Sequence, residues 1–131
     1  MKKNGVLNQE IIRIIAAMGH TDQLVICDAG LPVPTNIECV DVSVSAGIPD
    51  FISTVRAVNE ELCIESWLVA EETHIVNPHI YSDLLKILGD YPVKTISHQE
   101  LKELSHHAIA IIRTGECTPY SNVILVGGTS F

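Results

Sequence analysis

The segment MGHTDQLVICDAGLPVP, residues 18–34, holds a short apolar run, LVIC, between two polar groups. Four apolar residues followed by a stretch rich in glycine and proline are typical of a buried β-strand that ends in a turn. His20 lies before this strand and Asp28 lies directly after it. The two side chains are therefore expected at opposite ends of one strand, either as its hydrophilic ends or as parts of a chemical site.

The patterns along the rest of the chain predict six short strands and four helices. The helices are expected behind an Asn8 cap as far as Gly19, over Pro49–Leu62, over Pro78–Leu88, and from a Ser97-x-x-Glu100 capping box through about His106. The strands are expected at 24–27, 37–44, 63–72, 93–96, 108–112 and 122–128. This alternation predicts a three-layer α/β/α fold. The connections after strands one and five are too short for a helical crossover, so the sheet is expected to be mixed, or mostly parallel.

Length and composition indicate one globular domain over residues 1–131. Hydrophobic residues make up 47% of the chain and the mean hydropathy is +0.28, yet no apolar run reaches the ~18 residues that cross a bilayer. The N-terminal MKKNGVLNQE lacks the apolar core of a secretory signal, so a cytoplasmic location is expected. The apolar surplus indicates a large core or burial against other subunits.

Charge narrows the class of partner. The net charge is −8, from 16 acidic and 8 basic side chains, and a field of that sign repels nucleic acids and polyphosphates. A small neutral substrate remains compatible with it. The four cysteines contain no C-x-x-C pair, so they are expected to be reduced core residues and not zinc ligands.

Several polar side chains are expected at one edge of the sheet, because ligands of open α/β sheets bind beyond the carboxyl ends of the strands. Asp28 follows the first strand, and His98 and Lys102 share a face of the helix after the fourth. Tyr120 and Asn122 belong to the loop after the fifth strand. This mixture of hydrogen-bond donors and acceptors suits a polyol.

Each of these residues alone has an ordinary structural interpretation. An aspartate or asparagine beside a turn forms turns, a lysine or histidine near a helix start faces solvent, and a tyrosine after a proline packs. Those interpretations are preferred for any single residue, and only convergence on one edge favours a site. His20 does not fit the cluster, so it serves a crevice on a neighbouring subunit, or the HTDQ segment folds back.

More specific catalytic, nucleotide-binding and metal-binding motifs are absent or incomplete. His98 and Glu100 match the H-x-E half of a zinc-deaminase motif, but the P-C-x-x-C half is missing. There is no G-x-G-x-x-G fingerprint and no G-x-S-x-G elbow. His74 and His79 flank a loop with acidic neighbours, which is too weak a pattern to predict a metal.

Three stretches together carry a family resemblance: GHTDQLVICDAGLP at 19–32, the Asn-Pro pair at 77–78, and RTGECTPYSNVIL at 113–125. The chain resembles, essentially end to end, the ribose-specific branch of the RbsD/FucU sugar mutarotase family. The resemblance implies interconversion of the pyranose and furanose forms of D-ribose without a cofactor or metal. It also implies a cytoplasmic enzyme beside a ribose uptake system and a ribokinase, assembled as a homo-oligomer, a decamer of two stacked pentamers.

The resemblance further implies roles for individual residues. His20 matches the catalytic histidine, and an imidazole suits proton transfer to the ring oxygen at neutral pH. The positions that match sugar-binding residues, one of them (Ser121) through its backbone, are Asp28, His98, Lys102, Tyr120, Ser121 and Asn122. The alternative is a protein that binds or senses ribose without catalysis.

Overall fold

The secondary structure comprises six strands and five α-helices in a computed structural model that describes all residues, 1–131. The strands are β1 (Gln23–Cys27), β2 (Glu38–Asp41), β3 (Ile64–Ala70), β4 (Val93–Ile96), β5 (Ala110–Arg113) and β6 (Val123–Gly127). The helices are α1 (Gln9–Ala17), α2 (Phe51–Asn59), α3 (Glu71–Val76), α4 (Pro78–Leu88) and α5 (His98–Leu104), with a 3-10 turn at Ser105–His107. None of the helices combines the length and the apolar character needed to cross a bilayer.

All six strands form one mixed sheet in the order β2-β5-β1-β6-β3-β4. Every neighbouring pair is parallel except those made by β6, which runs antiparallel to β1 and to β3. Val123, the first residue of β6, pairs with Ile26 and with Val69. The amino end of β6 therefore lies beside the carboxyl ends of its two neighbours.

The predicted mixed α/β sheet is confirmed, but only one of its two stated reasons is correct. The short connection 114–122 does lead into an antiparallel strand, β6. The connection 28–37 also lacks a helix, yet β2 runs parallel to β1. This is possible because β2 pairs with the far side of β5, so the irregular segment crosses one intervening strand instead of reversing direction.

Hydrophobic residues form one core on each face of the sheet, which gives the predicted three layers. The larger core joins α1, α2 and α4 to one face, with Phe51, Trp67 and Leu84 fully buried in it. The smaller core packs Leu101 of α5 against the opposite face, where it meets Ile124. Alternate residues of β6 enter the two cores, because successive side chains of a strand point to opposite faces.

Several predicted boundaries are confirmed. Asn8 caps α1, since its side-chain oxygen accepts a hydrogen bond from the Ile11 N–H at 3.0 Å. The Ser97 hydroxyl accepts from the Glu100 N–H at 3.1 Å at the start of α5. Helix α4 runs over the predicted residues and is capped by Gly89.

Other boundaries were wrong: β2 covers only Glu38–Asp41 of the predicted 37–44, and α2 ends at Asn59 and not at Leu62. Two further errors concern the start of a helix. Pro49 precedes α2, and the carboxylate of Asp50 caps the helix by accepting from the Ser53 N–H. Strand β3 ends at Ala70, and the two glutamates assigned to it begin α3. Acidic side chains in a first helical turn favour the helix because they face the positive end of its dipole. This six-residue helix follows the strand without an intervening turn signal, so the sequence pattern missed it.

The expectation that the cysteines are core residues holds only for Cys27. Its side chain is fully buried, whereas Cys39, Cys63 and Cys117 are exposed. Burial, to which the neighbouring Asp28 carboxylate adds, raises the pKa of the Cys27 thiol to about 12. At neutral pH this thiol is therefore protonated and shielded.

We predict that Cys27 resists alkylation in the folded protein. Iodoacetamide at about pH 8 reacts with the thiolate, and in the folded protein burial keeps Cys27 protonated at that pH and shields it from the reagent. Peptide mass mapping should find Cys27 unmodified in native protein and modified after unfolding in guanidinium. Modification of native Cys27 as fast as that of exposed Cys117 would contradict the buried assignment.

Candidate functional site

A crevice of about 500 Å³ opens beyond the carboxyl ends of β1 and β5. Three segments supply its walls: 28–32 after β1, His98 at the start of α5, and 116–120 after β5. Three of the predicted residues, Asp28, His98 and Tyr120, line it together. The expected convergence on this edge of the sheet is confirmed for these three.

Hydrogen bonds with Asn122 and Gly30 hold the Asp28 carboxylate in place. The side-chain oxygen of Asn122 accepts from the Asp28 N–H at 3.0 Å, and the Asn122 amide donates to the Asp28 carboxylate at 3.3 Å. The other carboxylate oxygen accepts from the Gly30 N–H at 3.0 Å. Asp28 is only 9% exposed, so these contacts fix a negatively charged acceptor at the edge of the crevice.

His98 and Tyr120 form an aromatic pair on the opposite side. Their ring centroids are 5.0 Å apart and the rings meet edge to face at 83°. The Nδ1 atom of His98 is buried and has no hydrogen-bond partner within the chain. Because buried polar atoms are nearly always paired, this nitrogen is suited to a hydroxyl of a bound ligand.

Glu116 also lines the crevice. It lies within the RTGECTPYSNVIL motif, but the sequence pattern predicts no role for it. One carboxylate oxygen accepts from the Phe51 N–H at 3.1 Å, and the other accepts from the Thr118 hydroxyl at 2.9 Å. The Glu116 carbonyl accepts from the Ala29 N–H at 2.8 Å. Glu116 therefore ties the crevice segments 28–32 and 116–120 to each other and to the start of α2.

The remaining predicted binding residues do not line the crevice. Asn122 and Ser121 are fully buried, so Asn122 reaches the crevice only through Asp28. The Ser121 hydroxyl has no partner within the chain. Lys102 lies on α5 one turn beyond His98, half-buried, and is not among the lining residues.

His20 lies at the other end of β1, as expected. Its Nε2 atom is 2.6 Å from a carboxylate oxygen of Glu65, and it borders a second depression near Phe131. The adjacent Thr21 N–H donates to the Gly127 carbonyl at 2.8 Å, which anchors the segment to the carboxyl end of β6. The alternative in which HTDQ folds back toward Asp28 is therefore wrong, since β1 separates the two by about 17 Å.

The crevice combines a fixed carboxylate, an imidazole and a phenol. Such a set accepts and donates several hydrogen bonds without presenting a net positive charge, so it matches a neutral polyhydroxyl compound better than an anion. No group of three or more histidine, cysteine, aspartate or glutamate side chains is placed to hold a metal ion.

Comparison with known proteins gives matches along the whole chain. The model of the RbsD / FucU transport protein family matches residues 1–130. A D-ribose pyranase from Symbiobacterium thermophilum is 48% identical over 131 residues, and one from Coprothermobacter proteolyticus is 44% identical over 131 residues. Both alignments cover 100% of this chain and 100% of the relative.

A solved structure gives a consistent result. The structure of Bacillus subtilis RbsD complexed with D-ribose superposes with a TM-score of 0.97 at 41% sequence identity, over 100% of both chains. The backbone that builds the crevice is thus shared with a protein whose structure was determined in complex with D-ribose.

We predict that Asn122→Ala lowers the free energy of unfolding by about 1–3 kcal/mol, because it leaves a buried N–H and a carboxylate oxygen of Asp28 without partners. Urea denaturation measures this loss. Asn36→Ala, at an exposed turn, is the matched control and should change stability by less than about 0.5 kcal/mol. Equal, small effects of both substitutions would contradict the support role of Asn122.

Proposed function

Because the chain belongs to the RbsD/FucU family, we propose that it interconverts the pyranose and furanose forms of D-ribose. The observation that carries the proposal is the crevice in which Asp28, His98 and Tyr120 meet, on a backbone matched end to end by ribose-bound RbsD. The reaction is an isomerisation, and the proposed mechanism uses side chains without a cofactor.

Binding uses the hydrogen-bonding capacity of the crevice. The Asp28 carboxylate accepts from sugar hydroxyls, His98 pairs its free Nδ1 with another, and Tyr120 stacks on the ring or donates to it. Asn122 acts by holding Asp28. Lys102 extends from α5 to donate to a sugar oxygen, and Ser121 contributes through its backbone.

Catalysis requires opening of the hemiacetal. The anomeric hydroxyl loses a proton to the Asp28 carboxylate, the bond between the anomeric carbon and the ring oxygen breaks, and the ring oxygen gains a proton. The aldehyde is then attacked by a different hydroxyl, with the opposite proton transfers, to close the other ring. His20 is the acid that protonates the ring oxygen, because an imidazole exchanges protons readily at neutral pH. General acid–base help of this kind is worth roughly 10²–10⁴-fold.

For His20 to act in this mechanism, a second subunit is needed. Since β1 separates it from Asp28 within one chain, His20 reaches the crevice of a neighbouring copy. Exposed apolar side chains such as Val44, Ile48 and Ile75 are available for contacts between copies. We propose a homodecamer of two stacked pentamers, located in the cytoplasm, where it supplies ribose ring forms for catabolism beside an uptake system and a ribokinase.

A second candidate is a protein that binds ribose without catalysing its isomerisation. The contact between His20 and Glu65, at the end of the sheet away from the crevice, favours it. In that case the crevice alone would hold the sugar. The two candidates differ in whether the protein accelerates exchange between ring forms.

We predict that His20→Ala abolishes catalysed exchange while sugar binding persists. Saturation-transfer NMR on equilibrated ribose measures the pyranose–furanose exchange rate, which should fall by roughly 10²–10⁴-fold, toward the uncatalysed rate. His107→Ala, an exposed histidine of the 3-10 turn, is the matched control and should exchange as the wild type does. If His20→Ala catalysed exchange at the wild-type rate, His20 would have no role in the mechanism. If the unmodified protein did not accelerate exchange, the second candidate, a protein that only binds ribose, would be supported.

We predict that two inactive variants restore activity when mixed in one oligomer. In a random mixture of equal amounts of His20→Ala and Asp28→Asn chains, about one quarter of sites that combine two subunits contain both native residues. Chains unfolded and refolded together should therefore recover up to about a quarter of wild-type exchange. Separately refolded variants mixed without subunit exchange provide the control, and no recovery in a co-assembled oligomer would overturn the shared site.

A further inference from the structure

Helix α3, which the sequence pattern missed, makes hydrogen bonds to the loop that carries Tyr120. The Thr73 hydroxyl donates to the Tyr120 carbonyl at 2.6 Å, and the Asn77 side-chain amide donates to the Pro119 carbonyl. Thr73 is fully buried. Two successive carbonyls of the crevice loop are thus held by two side chains one helical turn apart.

The backbone at Tyr120 needs such support. Its φ is +63°, in the left-handed region that residues with a side chain rarely adopt. Strained backbone of this kind persists where surrounding contacts over-determine it, and it is concentrated at functional sites. The hydrogen bonds from Thr73 and Asn77 act on the carbonyls that flank this strained φ, so they determine the direction in which the Tyr120 ring leaves the chain.

The same helix also contacts the other half of the aromatic pair. A Glu72 carboxylate oxygen accepts from the His98 N–H at 2.6 Å, at the first residue of α5. Helix α3 is therefore bonded to His98 through one residue and to Tyr120 through the next. The two residues whose rings are 5.0 Å apart are thus both hydrogen-bonded, through their backbones, to one short helix.

The Asn-Pro pair at 77–78 acquires a physical explanation from this arrangement. Asn77 precedes α4 at a position where asparagine usually caps a helix, but its side chain makes no capping hydrogen bond. Pro78 in the first turn has no N–H that needs a partner. The Asn77 side-chain amide is consequently free to donate to the Pro119 carbonyl in the crevice loop.

We infer that Thr73 is a positioning residue for sugar binding, which acts with Glu72 and Asn77 by holding the edge-to-face pair of His98 and Tyr120 at the spacing the sugar requires. This inference rests on the proposed function, because it assigns Tyr120 to the sugar. None of the three residues lines the crevice, so their effect on the ligand is transmitted through the pair.

The test compares Thr73→Val with two matched variants. Valine has the shape of threonine but cannot donate, whereas Thr73→Ser retains the hydroxyl. Thr54→Val removes another buried threonine hydroxyl, which donates to the Asp50 carbonyl at 2.9 Å within α2. Ring-exchange rates are measured against ribose concentration, and ¹⁹F NMR of protein labelled with 3-fluorotyrosine follows Tyr120, whose signal is assigned with Tyr120→Phe.

Thr73→Val should raise KM about tenfold with kcat close to the wild-type value, because it removes binding contacts common to the ground and transition states. It should also shift the Tyr120 fluorine signal. Thr73→Ser should restore both quantities, and Thr54→Val should change neither. Asn77→Asp cannot donate to the Pro119 carbonyl, so it should change KM and the fluorine signal in the same direction as Thr73→Val. It replaces Thr73→Val as the test if that variant does not fold.

An unchanged KM and fluorine signal in Thr73→Val or Asn77→Asp, or equal changes in Thr54→Val, would overturn the inference. Failure of the proposed function gives a different pattern, in which the unmodified protein does not accelerate exchange at all. In that case the fluorine signal still decides: a shift in Thr73→Val that Thr73→Ser reverses supports positioning of Tyr120, and an unshifted signal refutes it.

Discussion

The arrangement of the site depends on one antiparallel strand in the middle of an otherwise parallel sheet. Because β6 lies between β1 and β3 and runs against both, the loop that enters it must pass over their carboxyl ends. That loop places Tyr120 above the crevice and Asn122 against Asp28. If β6 ran parallel, the same residues would lie at the opposite edge of the sheet, beside His20.

The direction of β6 also places the residues of its entry loop and His20 at opposite edges of the sheet. The crevice has a carboxylate and an aromatic pair that suit a neutral sugar, while the imidazole proposed to move the proton lies at the other end of β1. Under the proposed function, each subunit has the sugar-binding side chains at one edge of the sheet and the catalytic histidine at the other. In the proposed oligomer, catalysis depends on quaternary structure, and exposed apolar side chains such as Val44 and Ile75 are available for the contacts between copies.

Buried hydrogen bonds, more than exposed charges, define the crevice. Asp28, Glu116 and the Tyr120 carbonyl are each held by donors from other segments, namely Asn122, Phe51 and Thr73. Such contacts are strong in a site with little solvent, and they leave the crevice side chains preorganised before any ligand arrives. The supporting residues come from α2, from α3 and from the position just before β6, and none of them lines the crevice.

Sequence alone determined the alternation of strands and helices, the mixed sheet, and the grouping of Asp28, His98 and Tyr120 at one edge. These follow from local periodicity and from the rule that strand ends of one direction share an edge. Only the tertiary structure decided that Asn122 lies beneath Asp28, that Lys102 is outside the crevice lining, and that α3 links both aromatic residues. The positions of Asn122 and α3 depend on hydrogen bonds between residues 26 to 94 positions apart, and no local pattern records which distant donor meets which acceptor.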